Sequence, residues 1–228
     1  MQCREQWVGP PGDGVAQDAA AAQLCAVIEA GESALDCLAA ALSAAGFASV
    51  VIAPASGGGL DAGAARPLVE AAQRRNAAAL IADDAQLART LGADGVHLGV
   101  ANTAAGAYEA ARAIVGHGAI VGVDAGVSRH EAMTAAQDGA DYVAFGAPAH
   151  QRDRAKARQR RDDLITWWAE IFEAPCVALD VETPEEAAAI ARAGADFVGV
   201  RLAGASAAAT REIVGAIAAA LRVSASVG

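Results

Sequence analysis

Cysteine is sparse and unpaired in this 228-residue chain: Cys3, Cys25, Cys37 and Cys176 are scattered, with no C-x-x-C spacing. Buried reduced thiols are therefore expected, with Cys25 and Cys176 in strands and Cys37 in a helix. The four histidines form no H-x-x-x-H pair, which speaks against a zinc site. Positive charge is also short, and the formal net charge is −10 at pH 7. A non-specific nucleic-acid binder needs a basic footprint, and attraction to anionic lipid needs the same, so neither partner is expected. No uninterrupted apolar run approaches the ~20 residues of a membrane span. The opening residues, Met1 to Gln6, carry charge without an apolar stretch, so no secretory leader is expected and a cytoplasmic location follows.

What is present is apolar and regularly spaced. Apolar residues make up 54% of the chain, enough for a sizeable core. Residues 1–20, with Gly9-Pro10-Pro11-Gly12-Asp13-Gly14, read as a mobile tail, and residues 21–223 read as one domain. Within it short β-branched runs alternate with alanine-rich helical stretches, the pattern of βα units around a parallel sheet. The expected strands are Leu24–Ile28, Ser49–Ile52, Ala78–Ala82, Gly95–Leu98, Ile120–Val123, Tyr142–Phe145, Cys176–Leu179 and Phe197–Val200, with Ser206–Leu221 as the last helix. Eight such units in a chain near the roughly 250 residues of a typical example predict an α/β fold, a closed (β/α)₈ TIM barrel in a single domain.

Helix starts support this order. Thr183-Pro184-Glu185-Glu186 offers an N-cap, a first-turn proline and an N3 glutamate, and Ser128–Glu131 and Asp83–Gln86 follow the same logic. Gly92-Ala93-Asp94, Gly139-Ala140-Asp141 and Gly194-Ala195-Asp196 each stand between a helix and the next strand. They fall at the N-terminal end of the barrel and are read as structural.

Chemistry in such barrels sits on the loops that follow the strands. Those loops are rich in carboxylates: Glu29, Asp83, Asp84, Asp124, Asp180 and Glu182. Converging carboxylates can hold Mg²⁺ or include an acid or base with a raised pKa, whereas a helix cap is the structural alternative, and Asp83 suits either role. Ser56-Gly57-Gly58-Gly59 is either an anion nest or a plain flexible loop. Residues 151–161 hold six of the chain's 17 basic residues and read either as a solvated loop or as a lid over an anionic ligand. Of Trp167 and Trp168 on the following helix, one is expected to pack inward and the other to meet a subunit partner.

Leu80-Ile81-Ala82-Asp83-Asp84, followed by Gly92-Ala93-Asp94-Gly95-Val96-His97-Leu98-Gly99 and by Gly139-Ala140-Asp141-Tyr142-Val143-Ala144-Phe145-Gly146, resembles the thiamine phosphate synthase family. Gly194-Ala195-Asp196-Phe197-Val198 falls where that family's last strand begins. The resemblance implies a homo-oligomeric barrel that joins a pyrimidine pyrophosphate to a thiazole phosphate with Mg²⁺, with the thiazole tautomerases as a sister branch. Carried over position by position, it places the metal at Asp83 and Asn102, where the family has two aspartates. Catalytic positions fall on Asp124, where the family has serine, and on Arg154, where it has lysine. Asp84, Gly99, Gly146, Asp180 and Arg201 stand as substrate-binding positions. The tautomerase histidine falls on Gly126, and the basic cluster after the second strand has no counterpart around Ala53–Gly57.

The family presents glycine-rich backbone to phosphate after strand seven, where this chain has Leu179-Asp180-Val181-Glu182. A like-charge pair at ~4 Å costs about 4 kcal/mol at an effective dielectric of 20, so these acids oppose a phosphate unless Arg201 offsets them. Three readings remain: a divergent member without the standard synthase reaction that binds a thiamin-related or other small ligand, acts as a partner protein or runs a different reaction; an active synthase; and an unrelated metal-dependent barrel enzyme.

Overall fold

In the computed structural model, residues 22–55, 58–102, 106–147, 152–202 and 206–225 are described. The segment expected to be a mobile tail, together with Cys3, lies outside them, as do Ser56 and Gly57 of the run read as a flexible loop or an anion nest.

Strands and helices alternate from end to end. The strands are β1 (Gln23–Glu29), β2 (Ser49–Ala53), β3 (Ala78–Ala82), β4 (Gly95–Leu98), β5 (Ile120–Asp124), β6 (Tyr142–Phe145), β7 (Cys176–Ala178) and β8 (Phe197–Arg201). The helices that follow them are α1 (Ala34–Ala44), α2 (Ala62–Gln73), α3 (Ala85–Leu91), α4 (Ala107–Val115), α5 (Arg129–Asp138), α6 (Arg154–Ile171), α7 (Pro184–Arg192) and α8 (Ala207–Ala225). Each strand pairs in parallel with the next, and β1 pairs with β8, which closes the barrel. The fold is the expected (β/α)₈ barrel, with strand ends within a residue of those read from the sequence.

Two apolar layers build it. One lines the barrel interior and includes Val27, Val51, Leu80, Ala144, Val177, Leu179 and Phe197. The larger fills the space between strands and helices, with Ile28, Leu38, Ile52, Val96, Val143, Trp168 and Ile217 at its centre. Alternation of side chains along each strand sends odd and even residues to different layers.

The three Gly-Ala-Asp repeats tie pairs of strands together. Gly92, Gly139 and Gly194 all take positive φ at the helix ends. The aspartate two residues on then accepts a backbone N–H from the preceding strand. Asp94 takes that of Ala79 at 2.8 Å, Asp141 that of Val121 at 2.7 Å, and Asp196 that of Cys176 at 2.9 Å. β3 is thereby fastened to β4, β5 to β6 and β7 to β8, all at the N-terminal end.

One expectation is corrected. The basic stretch taken for a loop or lid is, from Arg154 onward, the first turns of α6. Asp153 caps it by accepting the N–H of Lys156 at 3.0 Å, and arginine, alanine and glutamine all favour helix once such a start exists. Trp168 is fully buried and its indole N–H donates to Ala174 O at 2.8 Å. Trp167 is half-buried beneath the Arg129 guanidinium, which stands 4.5 Å from the ring centre. Cys25, Cys37 and Cys176 are buried and in no disulfide, and burial pushes Cys25 up to about 11 and Cys176 to about 12.

Candidate functional site

Strand parity decides what reaches the barrel axis. The inward set on β5 runs Ile120, Gly122, Asp124, and on β8 it runs Phe197, Gly199, Arg201. On β4 it is Gly95 and His97, with Gly99 next in line. Around the C-terminal rim the same parity supplies Ala53, Ala82, Gly99 and Gly146, so the side chains walling much of this end are small. Glu29 at the end of β1, Asp124 and Arg201 are the polar groups that strand alternation itself aims toward the axis at this end.

Two further aspartates enter from the loops, and they are built alike. Asp83 directly follows β3 and Asp180 follows β7 by two residues; both hold left-handed backbone, with φ of 60° and 58°. That conformation is uncommon for non-glycine residues and is best tolerated by Asp and Asn. Each carboxylate crosses to the end of the next strand. Asp83 Oδ1 accepts the Gly99 N–H at 2.7 Å, and Asp180 Oδ1 accepts Nε and Nη2 of Arg201 at 3.0 and 2.9 Å. Glycines make room for both: a Cβ on Gly99 would lie 3.1 Å from Asp83 Oδ2, and one on Gly146 would lie 3.2 Å from Asp180 Oδ2.

Asp124 sits between them. Its Oδ1 accepts the Gly126 N–H at 2.8 Å. Burial, joined by the charges of Asp180 and Asp83 and opposed by that hydrogen bond and by Arg201, raises its pKa to about 6. A carboxyl poised near neutrality can take or give a proton under ordinary conditions. Deeper in the barrel, Nδ1 of buried His97 lies 2.7 Å from the Tyr142 hydroxyl. Desolvation holds the His97 pKa down at about 4, so the ring is neutral.

Behind the β7–α7 loop lies a group that sequence reading passed over. Arg161 is fully buried. Its Nη1 donates to Leu179 O at 3.0 Å and Asp180 O at 3.3 Å, while Nη2 meets Asp162 and Glu186, each at 2.7 Å. Arg154 and Arg158, two turns and one turn before it, both bind Glu182. Arg154 also donates to Ala147 O.

The expected site residues therefore divide. Asp83, Gly99, Asp124, Gly146, Asp180 and Arg201 come together at the mouth. Asp84 is the N-cap of α3, accepting the Leu87 N–H at 2.8 Å, so the cap role open to Asp83 belongs to its neighbour. Asn102 ends a short 3₁₀ turn, Val100–Asn102, and donates its N–H to Gly99 O at 2.8 Å. Of the two acids after β7, Glu182 is paired with the α6 arginines and Asp180 with Arg201. Among the described residues no three His, Cys, Asp or Glu side chains converge as a metal cluster, and no helix is long and apolar enough to cross a membrane. His97 lay in a motif noted in the sequence, and its inward parity on β4 was the signal that marked it. Nothing local distinguished Arg161 from the exposed arginines around it.

Residues 24–203 match the family described as thiamine monophosphate synthase. The chain belongs to that family. It is 44% identical over 135 residues to the thiamine-phosphate synthase of Rhodospirillum centenum, covering 59% of this chain and 62% of the relative. It is 41% identical over 138 residues to that of Erythrobacter litoralis, covering 60% and 63%. The aligned stretches thus span about three fifths of these two synthases. Among solved structures, thiamine phosphate pyrophosphorylase from Pyrococcus furiosus superposes with a TM-score of 0.71 at 19% identity, covering 89% of this chain and 96% of the other. At that identity the fold is what the two share. Family membership sets aside an unrelated barrel.

Proposed function

We propose that this member of the thiamine monophosphate synthase family does not run the standard synthase reaction, and binds a small uncharged or cationic molecule at its barrel mouth. The observation that carries this reading is the pairing of Asp180 with Arg201. Barrels commonly take phosphate at the loops after the seventh and eighth strands. Here the arginine at that place already holds a carboxylate through two donors, and Arg154 and Arg158 are engaged by Glu182 on the far side of the loop. Asp83, Asp124 and Asp180 add negative potential to the same hollow, which favours a ligand offering N–H groups or positive charge. Asp124 would take or give the proton if such a ligand is transformed.

The test is turnover and binding by the full chain. Pyrimidine pyrophosphate with thiazole phosphate should release no pyrophosphate beside an active control enzyme, and calorimetry should show no affinity for thiazole phosphate. Micromolar binding of thiazole phosphate, or measurable pyrophosphate release, would refute the reading.

One observation favours an active synthase instead: Glu182 is paired with Arg154 and Arg158, so one of the two expected repulsions is offset. In that case the residues fit a magnesium ion that arrives with its substrate. Mg²⁺ is usually held by one or two carboxylates plus substrate phosphates and water. Asp83 offers one carboxylate, and Asn102, three residues beyond the Gly99 that Asp83 holds, would add an amide oxygen. Bound there, the ion would neutralise phosphate charge.

A further inference from the structure

The pair at the mouth has more structure than a chance surface contact. Asp180 is held in its left-handed conformation from several sides. Buried Arg161 grips the carbonyls of Leu179 and Asp180 from behind, the Leu179 N–H donates to Phe145 O at 2.8 Å, and the Val181 N–H donates to Gly199 O at 3.1 Å. Gly146 leaves space for the carboxylate, whose side chain is only 11% exposed although its arginine partner is 40% exposed. The loop thus delivers a nearly buried carboxylate to the most accessible cation of the mouth, at the place where a barrel presents donors to an anion.

We propose that Asp180 is the specificity-determining residue of this mouth: it acts as a built-in anion that occupies Arg201 and so bars phosphorylated ligands, with Arg161 as the positioning residue that keeps it there. The inference rests on the reading that the wild-type mouth takes no phosphorylated ligand, and it assigns that exclusion to one side chain. Arg201 itself is competent. Its guanidinium follows the inward parity of β8 and carries the two-donor edge that matches a phosphate as well as a carboxylate. Taking away the internal anion should turn the same hollow into an anion site without any new contact being added.

The experiment is titration of the full chain with inorganic pyrophosphate by calorimetry at low ionic strength. Wild type is compared with Asp180→Gly, Asp180→Asn and Asp180→Gly/Arg201→Met. Glycine and asparagine both tolerate positive φ, so these changes spare the loop's backbone. Circular dichroism confirms that each variant is folded. Wild type should give no binding heat, Asp180→Gly at least a tenfold gain in affinity over the detection limit, and Asp180→Asn a smaller gain. The double variant should lose the gain. Arg161→Met, which frees the loop from behind, should show part of it, and Arg161→Lys less. If Asp180→Gly stays silent beside a silent wild type, or if its gain survives loss of Arg201, the inference is overturned and the proposed function stands. If wild type binds pyrophosphate as tightly as Asp180→Gly, the proposed function itself fails.

Discussion

The Tyr142 hydroxyl reaches Nδ1 of His97 across a whole intervening strand, at 2.7 Å, because the residue between them is glycine. His97 on β4 is registered with Gly122 on β5, and Gly122 with Tyr142 on β6. A side chain at that middle position would fill the space through which the two rings meet. The rings lie 5.8 Å apart and nearly parallel. The result is a neutral, hydrogen-bonded polar pair in a largely apolar interior, which gives two buried groups a partner.

Gly122→Ala should therefore be strongly destabilising. Its Cβ would stand 1.9 Å from Tyr142 Cζ, a clash that backbone neighbours on both sides prevent from relaxing. Overpacking of this kind commonly costs about 1–3 kcal/mol. Tyr142→Ala in the same chain removes the obstacle, so the double variant should lose less stability than the two single changes together. Denaturant midpoints of the four chains complete the cycle, and strict additivity would show that the two side chains do not meet.

Asp124 should leave a pH signature. It ionises at about 6 in the folded chain, against about 3.9 when unfolded. The folded state thus binds more protons between these values. Ionising Asp124 subtracts from stability as pH rises through that window, by about 3 kcal/mol once pH exceeds 6. Asparagine keeps an oxygen for the Gly126 N–H and cannot ionise. Asp124→Asn should then melt above wild type at pH 8 and together with it near pH 4. A gap of the same size at both values would exclude the carboxyl's ionisation as its cause.

Arg161 should matter more than any exposed arginine of α6. Replacing it with methionine strands the carbonyls of Leu179 and Asp180 and leaves Glu186 without its closest cation. Breaking a buried pair by removing one partner typically costs about 3–5 kcal/mol. Arg160→Met on the same helix, at a position whose side chain is exposed, should fall within about 0.5 kcal/mol of wild type. Urea unfolding of both variants decides the comparison, and equal losses would contradict the buried role.

Much of the barrel was legible beforehand. Runs such as Gly95–Leu98 and Tyr142–Phe145 were found to the residue because a short apolar run opened by Gly-Ala-Asp is a local signal. Thr183 and Ser128 were found as caps for the same reason, and both accept the expected N–H at 3.2 Å. The start of α6 was missed because an arginine-rich stretch reads as solvated until one knows that Asp153 caps it and that Arg161 turns inward.

The order of elements and the ends of the strands followed from the sequence alone, because they depend on local apolar runs, capping residues and neighbours within one turn. The charge pattern of the mouth did not. Asp180 meets Arg201 21 residues along the chain and Arg154 meets Glu182 28 residues along. Such partners are chosen by how the closed barrel brings separate loops side by side. Composition counts the charges, but only closure of the barrel decides which of them cancel and which remain for a ligand.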